Sequence, residues 1–196
     1  MKPPRAPPEA AGPAWRRSQR RWLIAARLAM SEEARAAASR SIEAALNQRF
    51  PPGSISLVGG YWPIQGEFDP LPYLRSVLAA GAAAALPAAA RPGEPLEYRP
   101  WTPRTRMAAG RWDIRHPAEG DAVTPAALLV PLVGFDAAGH RLGYGGGFFD
   151  RTLAALTPRP LAIGLAFEAQ RIDDLGPRPH DEPMDVIITE AGVFTP

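Results

Sequence analysis

The chain has 196 residues and is 46% hydrophobic, which suits one domain with a sizeable core and excludes disorder throughout. It contains no cysteine, which excludes thiol catalysis, thiolate metal sites and disulfides. Lys2 is the only lysine among 22 basic residues, so Schiff-base chemistry and a lysine-bearing Walker loop are disfavoured, and arginine and backbone N–H groups must grip any phosphate. No apolar run is long enough to span a bilayer, and the N-terminus lacks the pattern of a signal peptide. A soluble, cytoplasmic protein is expected, with no membrane partner. The net charge of +2 does not argue for nucleic acid, but it is uneven: residues 1–30 carry +6 and the remainder about −4.

In chain order, residues 1–13 hold five of the 24 prolines and read as a disordered tail before a domain over 14–196. Trp15 to Ala29 is free of Pro and Gly and reads as an amphipathic helix with an arginine face. Ser31 followed by Glu32 and Glu33 is an N-cap with acid in the first turn, opening a second helix that Pro51, Pro52 and Gly53 stop. Ile55–Val58 is a short strand ending in Gly59–Gly60. Pro70–Ala80 is a helix. Ala82–Leu86 and Leu96–Arg99 are strands, and residues 100–125 are loop-rich. Ala127–Val133 is the strongest strand, followed by a turn at Asp136–Gly139, a glycine cluster and a helix over Phe148–Leu156. Leu161–Phe167 and Val186–Thr189 complete the buried strands. Strands alternating with helices predict a single α/β domain, a mostly parallel central sheet with helices on both faces making three layers.

The stretch from Leu132 to Leu153, "LVGFDAAGHRLGYGGGFFDRTL", carries the chemistry. Glycines at 143, 145, 146 and 147 let the backbone approach a ligand closely, and the helix behind them offers free N–H donors to an anion. Arg141 can add a bidentate phosphate contact, and Asp150, in the first helical turn, can hold Mg²⁺ bridging phosphates. The dinucleotide pattern fails because residue 148 is Phe. A glycine-rich hairpin or a plain helix-start turn is the bland alternative.

Beyond this motif the chain closely resembles the 5-formyltetrahydrofolate cyclo-ligases. "PLVGFDAAGHRLGYGGGFFDRTL" is similar to their glycine signature, "RRSQRRWLIAARLAMSEE" to their opening helix, "YWPIQGEFDPLPYL" to their substrate segment and "GRWDIRHPAEGD" to a Trp-bearing loop. "IGLAFEAQ" and "PHDEPMDVIITE" resemble the C-terminal part, so the likeness runs from Trp15 to Glu190. It implies ATP-dependent closure of 5-formyltetrahydrofolate to 5,10-methenyltetrahydrofolate, with ADP and phosphate released and Mg²⁺ as cofactor. It implies ATP contacts at Arg17 and Arg21, and at Arg141, Leu142, Gly143, Tyr144, Gly145, Gly146, Gly147, Phe148 and Phe149. Trp62, Glu67 and Trp112 are implied for the folate, Asp150 and Asp181 for the metal, and Arg141 and Asp150 for catalysis.

Taken alone, Arg17 and Arg21 read as a solvated helix face, Glu67 as a loop acid, Trp62 and Trp112 as packing, and Asp181 as a turn residue. The chain also departs from the family pattern. Phe148 and Phe149 stand where tyrosines are usual, Tyr-Gly-Gly follows Gly143 where Arg-Gly-Lys is common, and Asp113 and Arg115 stand in a usually uncharged loop. A related ligase on another folate and a formylfolate-binding protein are therefore the competing readings. A nucleic-acid module ranks last, because the body lacks interleaved aromatic and basic patches. A monomer or weak homo-oligomer is expected.

Overall fold

The computed structural model describes residues 12–88, 91–110 and 113–196. Helix α1 (Pro13–Leu28) starts at a proline, whose missing N–H costs nothing in the first turn. Residues 1–11, most of the expected tail, lie outside the described part. Helix α2 (Glu32–Arg49) follows with Ser31 as its N-cap, the hydroxyl accepting the Ala34 N–H at 3.1 Å. Such a cap is worth about 1 kcal/mol. Then come β1 (Leu57–Gly59), α3 (Leu71–Ala79), β2 (Ala83–Pro87) and β3 (Tyr98–Pro100). The loop-rich stretch contains a small antiparallel pair, β4 (Met107–Ala109) and β5 (Arg115–Pro117). The second half runs β6 (Ala127–Pro131), a hairpin of β7 (Gly134–Phe135) and β8 (Arg141–Leu142), and α4 (Phe148–Ala155). It ends with β9 (Leu161–Leu165), β10 (Val186–Thr189) and β11 (Gly192–Phe194).

The main sheet has seven strands in the order β11-β10-β9-β6-β1-β2-β3. The inner five are parallel, and β3 and β11 add antiparallel edges. Alternation along β6 separates the two faces. Leu129 packs with Ile42 and Leu46 of α2 and Leu74 and Val77 of α3. Leu128 and Val130 pack on the opposite side with Leu153 of α4. The sheet therefore lies between helical layers, as expected for three layers. Helix α1 closes a smaller cluster in which Leu23 meets Val133, Leu142, Ile172 and Leu175.

The connection after β1 moves outward to β2, whereas the chain after β6 moves the other way, to β9 and β10. The strand order therefore reverses between the neighbours β1 and β6. A crevice beyond the carboxyl ends of strands at such a reversal is where open α/β sheets take ligands. Trp62, Pro87 and Pro131, just past or at the ends of β1, β2 and β6, all line one cavity of about 890 Å³.

Candidate active site

The glycine segment forms one wall of this cavity. It starts from the β7–β8 hairpin, whose turn is built by Asp136. Its Oδ1 accepts the N–H groups of Ala138 and His140, both at 3.0 Å, and its Oδ2 accepts that of Leu175 at 3.2 Å. Buried Gln170 braces the end of β6 by donating to the carbonyls of Leu132 and Val133 at 2.8 and 2.7 Å. Gly145 (φ 98°) and Gly147 (φ 65°) then adopt left-handed backbone that a side chain would strain. Gly147 is the N-cap of α4 and offers no side chain, so no side-chain group caps the helix start. This is the geometry of an anion cradle.

Arg141 and Asp150 are paired with each other. The Arg141 guanidinium donates to Asp150 Oδ1 and to the carbonyl of Glu182, and the Glu182 N–H also donates to Asp150 Oδ1, at 3.1 Å. Burial lowers the Arg141 pKa, while Asp150, Asp181 and Glu182 oppose that shift. Asp181 is similarly engaged: its Oδ2 accepts from Arg16 and from the Arg178 N–H, each at 2.9 Å. Burial pushes the Asp181 pKa up, but the Arg178 N–H and Arg16 outweigh it and hold the carboxyl below its ordinary value.

These bonds use one oxygen of each carboxylate. Among the described residues no group of three acidic, His or Cys side chains could hold a metal ion. The carboxylate oxygens outside these bonds are donors of the kind a hard cation such as Mg²⁺ takes, with phosphate oxygens and water completing its shell. Both carboxylates line the cavity with the glycine segment.

The first helix contributes a different arginine pair from the one expected. Arg17 and Arg21 are exposed and border a more open recess outside Tyr144. Arg16 and Arg20 line the main cavity instead. Arg20 Nε donates to the Gly143 carbonyl at 2.7 Å, and its pKa is lowered by burial and then by Arg16, Arg178 and Arg17. Arg16, Arg20 and Arg178 gather around the single carboxylate of Asp181, and such an excess of positive charge attracts an anion. Spacing alone does not separate the two pairs: Arg16, Arg20, Leu23 and Arg27 fall at i, i+4, i+7 and i+11, and so do Arg17, Arg21, Ile24 and Leu28.

Across the cavity, Trp62 and Glu67 follow β1. Gln65 (φ 48°) and Gly66 (φ 73°) make a left-handed turn. Two arginines staple it, Arg27 Nε donating to the Gln65 carbonyl at 3.0 Å and Arg35 Nη1 to the Gly66 carbonyl at 3.2 Å. Glu67 is thereby turned inward and is 9% exposed. Its Oε2 accepts the Ile64 N–H at 2.9 Å, and its Oε1 accepts Tyr144 Oη at 2.6 Å. Burial raises its pKa, against the opposing effects of Tyr144, the Ile64 N–H and Arg27. Arg27 was not anticipated: fully buried, it donates to Tyr144 Oη at 2.7 Å and lies 3.9 Å from Glu67. Trp62 carries the Arg115 guanidinium 5.8 Å from its ring centre. Trp112 lies outside the described residues.

One cavity thus joins an anion cradle ringed by arginines to an aromatic wall and a buried carboxylate. Such a pocket, beyond the carboxyl ends of parallel strands, is where open α/β sheets take ligands. The chain belongs to the 5-formyltetrahydrofolate cyclo-ligase family, whose model matches residues 13–190. The 5-formyltetrahydrofolate cyclo-ligase of Mycolicibacterium smegmatis is 30% identical over 141 residues, covering 67% of this chain and 72% of that one. The Haemophilus influenzae enzyme of the same name is 35% identical over 99 residues, so the chain spans about half of that relative's length (52%). The NMR structure of Aquifex aeolicus 5,10-methenyltetrahydrofolate synthetase matches with a TM-score of 0.78 at 30% identity, over 92% of each chain. Among the described residues no helix is long and apolar enough to cross a membrane.

Proposed function

We propose that this chain converts 5-formyltetrahydrofolate and ATP to 5,10-methenyltetrahydrofolate, ADP and phosphate, with the folate between Trp62 and Glu67 and the triphosphate on residues 143–149. The observation that carries this reading is the shared cavity, which both the glycine cradle and Glu67 line. Two substrates dissolved in water fit the cytoplasmic setting expected from the sequence.

In this reading the formyl oxygen attacks the γ-phosphate, N10 attacks the activated formyl carbon, and loss of phosphate leaves the methenyl bridge. The protein's contribution is positioning and charge neutralisation. Arg20 and the N-terminus of α4 take charge from the triphosphate. Arg16 and Arg141 anchor Asp181 and Asp150, and these two would hold Mg²⁺, which offsets phosphate charge when bound. Glu67 accepts from the pterin N–H edge, and Trp62 offers its ring face as a wall.

The test is direct: purified protein, Mg-ATP and 5-formyltetrahydrofolate are mixed and methenyl absorbance is followed. The reading expects signal only when ATP and a divalent cation are both present. Full turnover in excess chelator would remove the metal from it, and no turnover with this folate would remove the substrate.

A further inference from the structure

Tyr144 belongs to the glycine segment, yet its hydroxyl sits in the folate wall. It donates to Glu67 Oε1 at 2.6 Å and accepts from Arg27 Nη2 at 2.7 Å. Arg27 is fixed by further bonds to the carbonyls of Gln65 and Leu132, at 3.0 and 3.3 Å. The Glu67 side chain is only 3% exposed although it borders the cavity. A ligand reaching this carboxylate must therefore share it with the phenol or displace it.

Of the three groups, Tyr144 is the one placed to move. It is 39% exposed, whereas the Arg27 side chain is 1% exposed. It lies between Gly143 and the run Gly145–Gly147, where backbone rotation meets little steric resistance. Arg151 ties the Gly146 carbonyl at 2.7 Å, and the tie at the residue before Tyr144 is the Arg20 bond to the Gly143 carbonyl. An anion that recruits Arg20 competes with that tie.

We propose that Tyr144 is a latch between the two substrate subsites: nucleotide on the glycine segment draws Tyr144 off Glu67 and opens that carboxylate to the folate. This inference rests on the proposed function. Opening does not strand the carboxylate, because the Ile64 N–H and Arg27 stay in place while pterin donors replace the phenol. The consequence is reciprocal, each ligand tightening the other, since a linked equilibrium must act in both directions. Tyr144 is thus a positioning residue that makes binding of the two substrates cooperative.

The experiment is calorimetric titration of 5-formyltetrahydrofolate into the wild-type chain, Tyr144→Phe and Tyr144→Ala, with and without Mg²⁺ and a non-hydrolysable ATP analogue. Thermal melts of the same samples establish folding, and the two substitutions at this half-exposed position guard against failure of one. Nucleotide is expected to tighten folate binding to the wild type by roughly fivefold or more, the lower end of ordinary coupling between sites. In both variants folate binding without nucleotide should already approach the nucleotide-bound wild-type value, and the gain from nucleotide should fall below about twofold, outside that coupling range. Folded variants with unchanged coupling overturn the latch, and so does weaker folate binding under both conditions, which would make Tyr144 a direct contact. A wild-type chain that binds no 5-formyltetrahydrofolate under either condition overturns the substrate assignment itself.

Discussion

Arg20 Nε and the Gly143 carbonyl oxygen are 2.7 Å apart, which ties the first helix to the glycine segment across 123 positions of sequence. Arg17, three residues earlier, is exposed and outside the main cavity. Arg20→Met is expected to raise KM for ATP by roughly ten- to a hundredfold, the loss of a charged hydrogen bond of about 1.5–3 kcal/mol. Arg17→Met should change it by less than about threefold, as solvent-screened charges do. Steady-state kinetics on the two variants checks the contrast, and equal effects would replace the specific grip with a diffuse cationic field.

Glu67→Gln should impair use of the folate far more than binding of ATP. The amide keeps the shape and one acceptor oxygen but loses the charge that strengthens bonds from pterin N–H groups. The cost in kcat/KM for folate is about 1.5–3 kcal/mol. Binding of an ATP analogue should stay within about threefold, as expected where no contact is removed. Equal loss of both ligands would make Glu67 a structural residue of the 61–68 turn.

The same substitution has a signature in stability. Burial raises the folded pKa of Glu67 above 4.5, so between the unfolded and folded values the native state holds the extra proton. Stability then falls as pH rises through that window, because the unfolded chain ionises first. Gln does not titrate. The melting temperature of Glu67→Gln minus that of the wild type should therefore increase between about pH 4 and 7. A difference that is flat or shrinks would contradict the raised pKa.

Asp150→Asn touches more than the proposed metal contact, because Asp150 is the counter-ion of Arg141, whose side chain is 4% exposed. Leaving a buried charge unpaired costs about 3–5 kcal/mol, and Asn, which still offers an acceptor, should fall at the lower end. For a chain of this length that is a fall in melting temperature on the order of 6–12 °C. Turnover should drop severely and recover in part at high Mg²⁺. Loss of turnover that Mg²⁺ does not move would leave Asp150 as the anchor of Arg141 alone.

The turn and helix start at the glycine segment were legible because their signal is local: four glycines stand directly between a strand and a helix. The parallel strands were legible because Leu128, Leu129 and Val130 sit in an unbroken apolar run, the mark of a strand covered on both faces. Edge elements such as β4, β5 and β11 were not, since three residues show no period. The first helix misled by one position. Arginines at 16, 17, 20 and 21 form two adjacent stripes, and only tertiary contacts with Asp181 and Gly143 select the inner one. Arg27 was hidden for a related reason, because its partners Gln65, Leu132 and Tyr144 come from three distant segments.

The ion pair between Arg16 and Asp181 spans 165 positions, and the cavity they both line draws on α1, the turn after β1, the glycine segment and the loop before β10. During synthesis α1 emerges long before residue 181, so Arg16 must wait for a residue 165 positions later before it meets Asp181. The sheet can begin to assemble through β1, β2 and β6 well before that moment. The site is therefore finished only once residue 181 has been made, so a ribosome-bound fragment ending before Asp181 would hold much of the scaffold and still lack a finished ligand pocket.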